Sequence, residues 1–234
     1  MDIIPAIIAQ DFEDLRSKMS LVADLVPLVQ VDALDGEFAP YKSWPYLSGN
    51  QDGDFANILN EDIPFPFWDR VDFEVHLMTV RPEDKIKDWI KAGASRILFH
   101  VEATDRLEEL VNNFRKDFPL GQESLMSVEL GAVLNMKTPV SAIEGIAKDL
   151  DSVQFMSINQ IGKQGERFDE RVFDRIDELH QLHPDLVLSV DGGVSLDNAD
   201  ELMRAGATRL VVGSALFKSD DLAETIRMFK DIKI

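Results

Sequence analysis

The chain has 234 residues, 45% of them hydrophobic, which suits a globular protein with one α/β barrel or two small domains. Its formal charge of −19 disfavours nucleic acid and anionic membranes as partners, because phosphate groups select lysine and arginine. Cysteine is absent, which excludes disulfides, thiolate nucleophiles and cysteine-ligated metals. With no signal peptide or membrane-length apolar run apparent, we expect a cytoplasmic protein.

Apolar, β-branched runs alternate with helical patterns along the chain and predict eight buried strands. Asp11 is the expected N-cap of a first helix, Pro82 suits the first turn of another, and Ser195 caps one that ends near Gly206. The strands are predicted at 3–8, 28–33, 73–77, 96–100, 127–134, 153–158, 186–190 and 209–212.

An internal repeat supports this alternation. Segments 91–99 and 204–212 match, and each indicates a helix end, a glycine and then a buried strand. Eight such units predict a single (β/α)8 TIM-barrel domain over residues 1–234.

One connection, at about residues 37–70, is long, irregular and rich in proline and aromatic residues. Only Phe55–Leu59 within it is expected to be helical. A loop of this length is usually functional or an interface, and the alternative is an aromatic plug over one end of the barrel.

Polar residues follow several predicted strands at the ends that converge on one face of a barrel. Asp32, His76 and Asp191 are the strongest group, since two carboxylates and an imidazole can bind a divalent metal, which would stabilise an enediolate. The carboxylates could also act as an acid/base pair. Gln30 shares one side of its strand with Asp32. The alternative is that each side chain is a separate polar tip, satisfied locally.

The loops after the last two strands suit a phosphate, because glycines allow close backbone approach and such loops often bind phosphate in barrels. The loop after the sixth strand suits a mobile lid, although a plain surface loop would use similar residues. His100 could face the barrel mouth or simply end its strand. The candidate phosphate- or substrate-binding residues, including two methionines of a kind that is more often core filler, are Gly162, Gly192, Gly193, Gly213, Ser214, Met78, Met156 and Asn159.

Several of these segments, in this order, resemble the ribulose-phosphate 3-epimerases over nearly the whole chain. They are Pro5-Ala-Ile-Ile-Ala-Gln-Asp-Phe12, Val31-Asp-Ala-Leu-Asp-Gly-Glu-Phe38, Val75-His-Leu-Met78, His100-Val-Glu-Ala103, Leu134-Asn-Met-Lys-Thr-Pro139, Met156-Ser-Ile-Asn159, Val190-Asp-Gly-Gly-Val194 and Val212-Gly-Ser-Ala-Leu-Phe217.

The resemblance implies a TIM barrel that epimerises C3 of a ketopentose phosphate through an enediolate. Carried over by position, Asp32 and Asp191 are the catalytic pair that exchanges the proton on opposite faces. The family holds a divalent metal (zinc, iron, manganese or cobalt) with two histidines and these two aspartates. Here His76 is retained and Gln30 stands in place of the other histidine. The implied partner is a small phosphorylated sugar, and a homo-oligomer is possible.

Other departures from the family pattern leave alternatives open. Ala6 replaces a serine, and Asn159-Gln-Ile-Gly-Lys-Gln-Gly165 departs from the family's lid sequence. One alternative is a non-catalytic barrel that binds a phosphorylated metabolite or a protein. Another is decarboxylation or aldol cleavage of a sugar phosphate, ranked lowest because Asp32-Ala-Leu-Asp35 lacks the lysine of the related decarboxylases.

Overall fold

A closed barrel of eight parallel strands forms the centre of the protein. The computed structural model describes residues 1–47, 53–120 and 127–232. Each strand pairs with the next in the chain, and the last pairs with the first. The strands are β1 (Asp2–Ile7), β2 (Leu28–Leu34), β3 (Asp72–Met78), β4 (Arg96–His100), β5 (Glu129–Leu134), β6 (Ser152–Met156), β7 (Val187–Asp191) and β8 (Arg209–Val212).

Helices surround the barrel and bury their apolar faces against it. They are α1 (Phe12–Val22), α2 (Gly53–Leu59), α3 (Ile86–Lys91), α4 (Leu107–Asp117), α5 (Val172–Leu182), α6 (Leu196–Arg204), α7 (Ser214–Phe217) and α8 (Leu222–Lys230). The predicted (β/α)8 barrel is therefore confirmed, and each strand boundary lies within two residues of its prediction. No helix in the described ranges is long and apolar enough to cross a membrane, and the cytoplasmic location stays a prediction.

Two helix starts follow the predicted capping, and one differs. Asp11 caps α1, and Ser195 forms a reciprocal capping box with Asn198 at the start of α6. At Pro82 the chain forms only a short 3₁₀ turn, Pro82–Asp84, and α3 begins at Ile86. Lys85, at φ −109°, interrupts the helical run between the two segments.

The long connection after β2 packs its aromatic side chains against β3 and α3. Trp44 meets Trp89 edge to face at 5.9 Å between ring centroids, and Phe65 stacks on Phe73 at 3.8 Å. Trp68, by contrast, is 67% exposed. Much of this loop is therefore part of the core, while its residues 48–52 lie outside the described part of the chain.

A buried ion pair fills the barrel interior at the N-terminal ends of the strands. Arg96 of β4 contacts Glu74 of β3, and its Nε donates to Glu129 at 2.5 Å. Glu74 and His76 share one side of β3 by the two-residue period, so this ion pair lies below His76. We call the Arg96–Glu74–Glu129 group the barrel floor.

The N-cap of α1 gives a modest stability prediction. Asp11 accepts a hydrogen bond from the Asp14 backbone N–H at 2.7 Å. We expect Asp11→Ala to lower the free energy of unfolding by about 1 kcal/mol, because that N–H loses its partner. Asp11→Asn keeps an acceptor oxygen and should cost much less. Urea unfolding of both variants checks this, and equal losses would contradict the capping role.

Candidate active site

The barrel brings together three side chains that lie far apart in the sequence. Asp32 lies near the C-terminal end of β2, His76 lies opposite it on β3, and Asp191 is the last residue of β7. One ligand atom from each lies within 4.8 Å of the others. All three are buried, with at most 9% of any residue exposed. We call this group the Asp–His–Asp cluster.

Gln30 lies within the cluster and bridges its two carboxylates. Its Nε2 donates to Asp32 Oδ1 at 2.9 Å and to Asp191 Oδ2 at 2.9 Å. The same nitrogen is 3.4 Å from His76 Nδ1. The amide nitrogen thus takes the central position between three potential ligands.

The amide oxygen of Gln30, Oε1, indicates that the cluster fits a divalent cation. Among the described residues, the buried Gln30 Oε1 finds no hydrogen-bond partner. The two ends of an amide are exchanged by a half-turn, which would direct Oε1 between the carboxylates and His76. Two carboxylates, an imidazole and an amide oxygen form a ligand set suited to zinc, iron, manganese or cobalt.

Burial and mutual contact shift the pKa values of this cluster. Burial alone would lower the pKa of His76, but its hydrogen bonds to Asp191 and Asp32, with their charges, raise it to about 9. Burial raises the pKa of Asp32, against the hydrogen bond from His76, and the charge of Asp191 adds to the rise. In the absence of a cation, the cluster therefore retains protons that exposed groups of the same types would release.

The second ring nitrogen of His76 contacts another buried histidine. His76 Nε2 lies 3.0 Å from His100 Nε2, and His100 Nδ1 lies 3.2 Å from Glu102 Oε2. Burial lowers the pKa of His100 to about 4. Of the two orientations that the sequence left open for His100, the structure has its ring inside the barrel against His76. Glu102 did not stand out from the sequence alone.

A pocket opens above the cluster at the C-terminal ends of the strands. Asp32 and Asp191 form part of its wall. Its other predicted members are Met78, Met156, Gly162, Gly192, Gly193, Gly213 and Ser214. Asn159 instead is exposed and donates to Asp169 at 3.1 Å, outside the lining residues, so its role in binding stays a prediction.

The loop after β6 contributes two side chains that the site prediction did not include. Lys163 and Gln164 both line the pocket. Gln164 Nε2 donates to the backbone oxygen of Ala6 at 3.0 Å and lies against Gly213. This segment therefore lines one side of the pocket, with the Gln164 amide beside Ala6, and its role as a lid stays a prediction.

Comparison with known proteins agrees with this geometry. Residues 2–217 match the model of the ribulose-phosphate 3 epimerase family. The chain belongs to this family. Ribulose-5-phosphate-3-epimerase, chloroplastic, of Arabidopsis thaliana is 34% identical over 98% of this chain and 76% of that protein. Ribulose-phosphate 3-epimerase of Bacillus subtilis is 30% identical over 99% of both chains. These relatives are isomerases that act on carbohydrate phosphates.

Solved structures of other proteins have a similar fold. A 3-keto-L-gulonate-6-phosphate decarboxylase from Vibrio cholerae superposes with a TM-score of 0.70 at 12% identity, covering 98% of this chain and 95% of that one. A 3-hexulose-6-phosphate synthase gives 0.67 at 16% identity, covering 98% of both chains. At such identities the likeness concerns architecture alone.

Proposed function

We propose that this protein epimerises C3 of a ketopentose phosphate by moving a proton between two aspartates. The observation that carries the proposal is the Asp–His–Asp cluster, whose ligand atoms lie within 4.8 Å of one another beneath the pocket. Exchange at one carbon requires an acid and a base within reach of the same atom. Asp32 and Asp191 line the same pocket from strands separated by β1 and β8, which supports this pair.

Backbone geometry supports a phosphate site at one side of the pocket. Gly192 and Gly193 have φ values of 111° and 66°, which favour glycine. A Cβ at Gly193 would lie 2.9 Å from the backbone nitrogen of Phe168, so a side chain there would displace the lid. Gly192, Gly193 and Gly213 line the pocket with main chain that a phosphate could approach, and Lys163, paired with Glu166 at 3.1 Å, lines it from the loop after β6.

The proposed chemistry uses the two carboxyl groups in opposite protonation states. One ionised aspartate removes the C3 proton, and the C–H electron pair forms a C2=C3 double bond while the carbonyl oxygen becomes negative. The other aspartate, protonated at the start, delivers its proton to the opposite face of C3, and the carbonyl reforms.

Gln30, Asp32, His76 and Asp191 are the residues that would hold the family's divalent cation. When bound, such a cation stabilises negative charge that develops on the substrate oxygens. His76 would then serve as a neutral ligand. Burial of the cluster strengthens these electrostatic interactions because it excludes water.

Turnover of ribulose 5-phosphate tests the proposal. The protein, reconstituted separately with Mn²⁺, Fe²⁺, Co²⁺ or Zn²⁺, should form xylulose 5-phosphate with at least one ion. The bridging amide of Gln30 favours a second candidate, a cation-free barrel that only binds a phosphorylated metabolite. No turnover with any ion, together with binding of the sugar phosphate, would replace the first proposal with the second.

Gly213 offers a test of the phosphate site. We expect Gly213→Ala to lower kcat/KM for the sugar phosphate about tenfold, mainly through KM, because the methyl group enters the pocket. Its Cβ would lie 2.7 Å from Gln164 Nε2, a mobile side-chain end, so the fold should tolerate it. Gly53→Ala, with open space around its Cβ, is the matched control. An unchanged KM in Gly213→Ala would mean that the phosphate binds elsewhere.

A further inference from the structure

His76 is one end of a hydrogen-bonded series of side chains, two buried imidazoles and a partly exposed Glu102, none of which lines the pocket. Its Nε2 meets His100 Nε2 at 3.0 Å, and His100 Nδ1 meets Glu102 Oε2 at 3.2 Å. Both imidazoles are fully buried. Their ring nitrogens therefore depend on these contacts rather than on water.

Glu102 determines where the hydrogens lie in the series of hydrogen bonds from Glu102 through His100 to His76. A carboxylate only accepts hydrogen bonds, so His100 Nδ1 must carry the hydrogen that points to Glu102. A neutral His100 then has its lone pair at Nε2 and can only accept from His76 Nε2–H. When His76 is neutral, its own lone pair is consequently at Nδ1, which faces Asp32 at 3.1 Å and Asp191 at 3.5 Å.

Hydrogen-bond donors around Glu102 favour its ionised carboxylate, which can only accept hydrogen bonds. The Asn135 backbone N–H donates to its Oε1 at 2.9 Å, and the Thr138 hydroxyl donates to the same oxygen. Its other oxygen is thereby directed at His100. Three donors around one carboxylate stabilise its ionised state.

We propose that Glu102 and His100 are positioning residues that fix His76 as its Nε2–H tautomer and so present Nδ1 to a divalent cation between Asp32 and Asp191. This inference rests on the proposed function, because it concerns the cation of that site. Outer partners of this kind typically set the orientation and basicity of a ligating imidazole.

Glu102→Gln should reverse the donor and acceptor roles in the hydrogen bonds from residue 102 through His100 to His76. The Asn135 N–H cannot turn, so the glutamine must keep its oxygen there and direct its NH₂ group at His100 Nδ1. His100 then accepts at Nδ1, donates from Nε2, and forces the hydrogen of His76 onto Nδ1. We expect the affinity for Mn²⁺ or Co²⁺ to fall about 10- to 100-fold.

Glu102→Ala is the matched comparison. It removes the constraint without reversing it, so we expect a smaller loss of cation affinity than with Glu102→Gln. A merely structural role predicts the opposite order, because glutamine keeps the contact with Asn135 and alanine loses it. Calorimetric titration with Mn²⁺ and the visible spectrum of the Co²⁺ form give both affinities without an activity assay.

Nitrogen-15 NMR of the histidine rings reads the tautomers directly in cation-free protein at a pH above the raised pKa of His76, where both rings are neutral. The chain has four histidines, and His180 and His183 near the end of α5 serve as internal references. His100 should carry its hydrogen on Nδ1 in the wild type and on Nε2 in Glu102→Gln. The same His100 tautomer in both, or a larger affinity loss in Glu102→Ala, would overturn the inference. A wild type that binds neither ion would instead overturn the cation site of the proposed function, and the inference with it.

Discussion

Asp191→Asn should lower kcat for ribulose 5-phosphate epimerisation by about 10²- to 10⁴-fold, the contribution typical of a positioned acid or base. Asparagine keeps the shape of the side chain but cannot take up or release the proton at C3. Asp191 is also a candidate cation ligand, so the same substitution should weaken cation binding. Steady-state kinetics at saturating Mn²⁺, with metal content measured on the same sample, separates the two effects.

Asp197→Asn is the control for this substitution. Asp197 lies exposed in the first turn of α6, a short distance along the chain from Asp191. Its replacement by asparagine removes one carboxylate, as Asp191→Asn does. We expect its kcat to match that of the wild type. An Asp191→Asn protein that keeps its cation and at least half of the wild-type kcat would end the two-aspartate mechanism.

Gln30→His should raise the affinity for Zn²⁺ or Co²⁺ by about 10- to 100-fold, a range seen when the surroundings of a metal site change. Imidazole is a better ligand for these ions than a neutral amide oxygen. The substitution also removes the Nε2 group that now bridges Asp32 and Asp191, which a cation must displace. Competition with a chromophoric chelator gives the affinity.

Gln30→Leu shows what the amide itself contributes. If Oε1 turns toward the cation, leucine should bind Co²⁺ more weakly than the wild type, since one ligand is gone. Equal affinities of the leucine and wild-type proteins would mean that the amide plays no part in binding. A histidine variant no tighter than the wild type would argue that the site geometry excludes a second imidazole.

The barrel and the cluster were predictable because both depend on strand pattern. Buried parallel strands are continuous apolar runs, and their polar C-terminal ends must meet on one face of a closed barrel. Asp32, His76 and Asp191 each end or nearly end such a run, so their approach follows from topology.

The contacts that side chains make across neighbouring strands could not be predicted from the sequence. The His76–His100 contact depends on the register between β3 and β4, and the bridging amide of Gln30 depends on its rotamer. Asn159 shows a similar dependence, because β6 ends at Met156, two residues before its predicted end, and Asn159 falls in the exposed loop. The lid side chain Gln164 could be placed only once the loop had a conformation.

The barrel floor bears on the fate of the hydrogen taken from the sugar. Arg96 and Glu74 fill the interior below His76, and the loop after β6 lines the pocket on the other side of the cluster. If the proposed mechanism holds, a tritium atom removed from C3 would stay on its aspartate until this loop moves. We expect release of the isotope into water to keep pace with loop motion rather than with bond cleavage.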